Sequence, residues 1–103
     1  MARKRRIKTE DIEAIVSCAA GPGKIREELW IDENKNVVRY NLAFINHFMC
    51  QRDNGRVLGY DMAHRYHHRH YMGQVEEIEF PGYEELSRRF YGEVSALRRK
   101  GKL

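Results

Sequence analysis

"KIREELWIDENKNVVRYNLAFI" (residues 24–45) decides the fold. In its first half Ile25, Glu27, Leu29 and Ile31 alternate with Arg26, Glu28, Trp30 and Asp32. After the polar DENKN at 32–36, Val38, Tyr40, Leu42 and Phe44 alternate with Arg39, Asn41 and Ala43. Successive side chains of a strand point to opposite faces. A period of two, rich in β-branched and aromatic residues, therefore reads as strand–turn–strand.

The same grammar extends toward the C-terminus. "RVLGYD" (56–61) is a further strand, reached through Asp53-Asn54-Gly55, a hairpin-type turn. "VEEIEF" (75–80) is another, with Ile78 and Phe80 facing in and Glu77 and Glu79 facing out. "FPG" (80–82) then breaks the pattern. Beyond it Tyr83, Leu86, Phe90, Val94 and Leu97 recur at spacings of three and four, an amphipathic helix. Gly82 is placed as its N-cap, Glu84 and Glu85 favour its positive end, Arg98–Lys100 its negative end, and Gly101 is a natural stop. Toward the N-terminus, "GPG" (21–23) is a turn, and "TEDIEAIVSCAA" (9–20) fits a helix and a strand equally well. The expected fold is α+β: an antiparallel meander of four to five strands with the C-terminal helix on one face. One helix cannot cover both faces of a sheet. One face should stay partly open, which leaves room for a homodimer.

At 103 residues the chain reads as a single α+β domain over 9–103 behind a basic N-terminal arm at 1–8. With 42% apolar and 33% charged residues it is too apolar to be disordered. No run approaches the ~20 apolar residues of a membrane span. No apolar leader segment follows the N-terminal charges, and Cys18 and Cys50 lack CxxC spacing. Together these read as reduced thiols in a cytoplasmic protein. The two ends hold nine of the nineteen basic residues and none of the fifteen acids, so the middle of the chain is net acidic. Arg3, Lys4, Arg5 and Arg6 suit a polyanion such as RNA; a solvated tail explains them equally well.

"YDMAHRYHHRHYMG" (60–73) holds four of the five histidines and falls between two strands, so it reads as a loop. Imidazole titrates near neutrality, so a pair can take up one proton and give back another. His68 and His70 are the candidate acid–base pair for cleaving RNA without metal. Arg69 between them suits the charge that builds on a phosphate, and Asp61 can orient a histidine. Tyr60, Tyr66 and Tyr71 are candidates to stack on bases, with Arg65 for phosphate. His64 and His67 are secondary candidates that shape or line the loop. A metal site is a weaker reading, since no zinc-type spacing is present, and no cofactor is expected. Packing against the tyrosines is the bland alternative for any one of these histidines.

"VVRYNLAFIN" (37–46), "NGRVLGYDMAHRYHHRHYMG" (54–73) and "VEEIEFPGYEELSRRFYGEV" (75–94) resemble the TumE-type toxins of prokaryotic toxin–antitoxin operons. The carrying motif is Tyr60-Asp61, a short spacer, then His68-Arg69-His70-Tyr71, and the resemblance spans roughly residues 24–97. The family commonly carries glycine where this chain has Arg65, and asparagine where it has Met62. The resemblance implies a toxin with a helix-turn-helix antitoxin as partner. The chemistry of the histidines adds the expectation of a metal-independent ribonuclease. The competing expectation is a non-catalytic module that binds nucleic acid or antitoxin through its basic arms.

Overall fold

A computed structural model describes residues 5–100. Six strands form one antiparallel sheet in sequence order: β1 (Ile7–Val16), β2 (Gly23–Ile31), β3 (Val37–Ile45), β4 (Arg56–Ala63), β5 (Tyr66–Tyr71) and β6 (Gln74–Ile78). Helix α1 (Tyr83–Arg99) follows and packs over β3 and β4. The α+β class, the meander and the helix on one face are as expected. The strand count is six, not four to five, and two segments account for the difference.

The first is the ambiguous N-terminal stretch. Its residues up to Val16, with Ile7 and Lys8 before them, pair with β2, from Ile7↔Ile31 to Val16↔Gly23, with a bulge at Thr9, while residues 17–20 lead into the turn. Up to Val16 it is therefore a strand, and that strand begins inside the segment read as an arm. The second is the histidine stretch. Tyr66–Tyr71 pairs with β4 on one side and β6 on the other, so His67, His68 and His70 lie on a strand and only His64 lies in a turn. Two-residue turns flank it. His64 and Arg65 have φ of 51° and 70°, Met72 and Gly73 of 50° and 84°. Positive φ at both central residues is the turn whose twist matches a right-handed hairpin.

The core lies between α1 and the middle of the sheet. Tyr40, Leu42 and Phe44 of β3 and Leu58 and Tyr60 of β4 meet Leu86, Phe90, Val94 and Leu97 of α1. Each helix side chain in that stripe is buried, worth roughly 1.5–3 kcal/mol apiece in transfer from water. Gly82 caps the helix through backbone alone, with Glu84 and Glu85 in its first turn and Arg98 and Arg99 in its last. Gly101, the expected stop, lies outside the described residues. Two polar anchors fix the helix sideways. Buried Glu27 of β2 accepts hydrogen bonds from Tyr83 Oη at 2.5 Å and Tyr91 Oη at 2.6 Å. Glu93 accepts from both Tyr60 Oη and the Arg69 guanidinium.

No helix among the described residues is long and apolar enough to cross a membrane. The face of the sheet away from α1 has no covering layer among the described residues. It carries Trp30 of β2, Arg39 and Asn41 of β3, Asp61 of β4 and His68 and His70 of β5.

Candidate functional site on the open sheet face

Strand pairing places Asp61 opposite His68 and Gly59 opposite His70. Alternation then sends Tyr66, His68 and His70 to the open face and His67, Arg69 and Tyr71 beneath the helix. His70 Nε2 lies 3.0 Å from Asp61 Oδ2 and 3.1 Å from Oδ1. Its Nδ1 lies 3.0 Å from a terminal nitrogen of Arg56. A guanidinium only donates, so Nδ1 must accept, and the ring proton of a neutral His70 sits on Nε2 facing Asp61. His68 Nδ1 lies 3.7 Å from Asp61 Oδ1, beyond hydrogen-bond reach, and its Nε2 bonds to no described residue. The two rings are 6.4 Å apart. His70 is the more enclosed, with 13% of its side chain exposed against 28% for His68.

Arg56 completes the cluster. Its Nε donates to Asp53 Oδ2 at 2.7 Å, one terminal nitrogen to Asp61 Oδ2 at 3.3 Å and the other to His70. A simple period of two sends Arg56 to the helix face with Leu58 and Tyr60. The register shift between Phe44 and Ile45 leaves Val57 without a counterpart on β3 and pairs Arg56 with Ile45, on the open face. Gly59 then lets it reach. A Cβ there would lie 2.8 Å from Arg56 Cδ and 3.2 Å from the Leu42 carbonyl oxygen. The bare glycine leaves the lane across which the arginine crosses β4.

Of the residues singled out from sequence, Asp61, His68 and His70 come together. Arg69 does not join them. It lies on the opposite face, ion-paired with Glu93, donating to Tyr60 Oη at 3.0 Å and stacked over Tyr71 at 5.1 Å. Tyr60 is fully buried against Phe90, so it offers no ring to a base. Burial, and next its bond to Glu93, push its hydroxyl up to about 12. Tyr71 is half-buried on the helix side. Tyr66 is exposed beside the turn. His64 and Arg65 form that turn and are exposed. Arg5 and Arg6 are exposed ahead of β1; Arg3 and Lys4 lie outside the described residues.

His67 is a packing residue. Its ring stacks on Phe80 at 4.4 Å, and its Nδ1 meets Tyr40 Oη at 2.8 Å. Burial, reinforced by the neighbouring His68, lowers its pKa and favours the neutral ring that accepts from Tyr40. Among the described residues no three His, Cys, Asp or Glu side chains are arranged to hold a metal ion.

Basic and aromatic groups lie farther across the same face, on β1 to β3. Lys8 and Arg39 lie 4.7 and 5.1 Å from the centre of the Trp30 ring. Ala43 and Gly59, the residues between Arg26 and His70 in the cross-strand row, leave a shallow floor. Arg56 and Asp53 are the site residues that sequence reasoning missed. Asp53 was visible only as turn chemistry, and Arg56 depends on the bulge.

Comparison with known proteins gives one match. No curated protein and no solved structure matches the chain. Residues 24–98 match the family described as toxin TumE, which takes in β2 to α1 and so every residue of the cluster. The chain belongs to the TumE toxin family.

Proposed function

We propose that the chain is a toxin acting on RNA as a metal-independent ribonuclease, through Asp61, His68, His70 and Arg56. The observation that carries this reading is two histidines beside one carboxylate, His70 bonded to it and His68 at 3.7 Å, with a guanidinium next to them, on the uncovered face of the sheet. His68 has the open nitrogen and serves as general base, taking the proton of a ribose 2′-OH. The 2′-oxygen attacks phosphorus, and the P–O bond to the 5′-oxygen breaks. His70, once Arg56 has moved off Nδ1 and that nitrogen has taken a proton from solvent, gives that proton to the leaving oxygen, so His68 gains one proton and His70 loses one. Arg56 takes the role first given to Arg69, stabilising charge on the phosphate. At rest Arg56 covers His70 Nδ1. A bound phosphate draws the guanidinium toward itself and uncovers that nitrogen. Asp61 holds the His70 ring and its proton.

A second reading keeps the same residues and removes the chemistry. Both ring nitrogens of His70 are already satisfied, as in a histidine that only stitches β4 to β5. The chain would then act by binding RNA or an antitoxin of the helix-turn-helix type.

Incubating the purified chain with single-stranded RNA in chelator separates the two. Cleavage that leaves 2′,3′-cyclic phosphate and 5′-hydroxyl ends supports the acid–base pair. Intact RNA in the presence of folded, toxic protein overturns it.

A further inference from the structure

β1 lies outside the residues that match the family, and it ends the sheet. Nine of its ten residues are exposed, among them Ile7, Ile12 and Ile15. Among the described residues nothing pairs with its outer backbone edge. A long strand without proline and with an open edge is a template for another strand. Its charges are segregated. Arg5, Arg6 and Lys8 lie at one end; Glu10, Asp11 and Glu13 follow.

We propose that β1 is the seam of a two-fold dimer of this chain, in which the β1 strands of two copies pair antiparallel. Antiparallel pairing sets the basic end of one strand against the acidic end of the other; parallel pairing would set like against like. One register satisfies both charge and face. With Thr9 opposite the partner's Glu10, Lys8 meets the partner's Asp11, Arg6 meets the partner's Glu13, and Ile7 meets the partner's Ile12.

The bulge makes that register possible. In a regular strand, residues five apart lie on opposite faces and cannot be opposed in a pair. The extra residue at Thr9 puts Ile7 and Ile12 on the same face, opposite Ile31 and Glu27 of β2. It does the same for Lys8 and Asp11, already 3.2 Å apart within one chain. Registers centred anywhere from Asp11 to Glu13 instead bring acid onto acid. Lys8 also bonds Glu28, and Glu13 bonds Lys24, so the cross-seam charges join existing surface pairs instead of standing alone.

A two-fold axis perpendicular to the sheet keeps the two open faces on one side. The dimer is then a continuous sheet of twelve strands, carrying one Asp61–His68–His70 cluster on each half.

Sedimentation of the full chain over a range of micromolar concentrations tests the seam. The wild-type chain is expected to dimerise and to weaken as salt rises. Glu13→Arg and Arg6→Glu, each counted twice by symmetry, should each weaken the dimer about tenfold. Combining the two should restore it to within about threefold of wild type. Rescue by the double variant separates the seam from a folding defect. A chain that stays monomeric overturns the proposal, including one that pairs only with an antitoxin. So does a dimer indifferent to both reversals, or a double variant no better than either single one.

Discussion

Gly59 shows how a missing side chain can set up a site. The Arg56 side chain occupies the space a Cβ would need, and from there it bonds Asp61 and His70. Gly59→Ala should displace the guanidinium and lower RNA cleavage about as far as Arg56→Ala does. Its cost in stability should come to about 1–2 kcal/mol, because the flexible arginine can move aside but the Leu42 carbonyl at 3.2 Å is backbone. Parallel cleavage and urea-unfolding measurements on both variants check this. His67 makes a different kind of prediction. Its folded pKa lies below the ordinary 6.5, so the unfolded chain binds the proton more readily. The stability it contributes is therefore complete above about pH 6.5 and is lost as pH falls through the folded value. His67→Gln, which still accepts from Tyr40, should flatten the acid side of the stability profile measured by urea unfolding. Asp61, His68 and His70 were legible from residue type and spacing. Arg69 stands between them in sequence but lies on the helix side, because neighbouring residues of a strand point to opposite faces.

At the scale of elements, β5 was hidden for two reasons. It has histidine and arginine where strands usually carry β-branched residues, and its leading turn, His64-Arg65, lacks the glycine or asparagine that announces a hairpin. Its alternation was nevertheless present, with Tyr66, His68 and His70 interleaved by His67, Arg69 and Tyr71. β1 was ambiguous because its apolar residues satisfy both periods. Only pairing with β2 settles it, and pairing is not local information. α1 was plain, since its stripe and both charged ends obey one geometry. What sequence did not reveal is how α1 is held laterally. Glu27 appears in an alternating strand as an inward acid with no visible reason; the structure supplies Tyr83 and Tyr91. Glu27→Ala leaves both hydroxyls without their charged acceptor and should cost about 3 kcal/mol. Thermal or urea unfolding should show that loss, with Glu27→Gln recovering part of it.

For the whole molecule, the sheet is a divider. One face is spent on stability, under a helix anchored by apolar stripe and carboxylates. The other has no covering layer among the described residues and carries His68 and His70 on a strand paired on both sides. Family membership implies an antitoxin partner. An antitoxin seated over Asp61, His68 and His70 would silence the site by covering it. The central claim is that this open-face cluster, and not the histidine-rich stretch at large, acts on RNA. The most direct measurement is RNA cleavage in chelator by two matched variants, His68→Ala and His64→Ala, each shown to be folded. We expect His68→Ala to lose at least about 100-fold in rate, the scale of a lost general base, and His64→Ala to match wild type. Full cleavage by His68→Ala, or equal loss in both variants, would contradict the assignment.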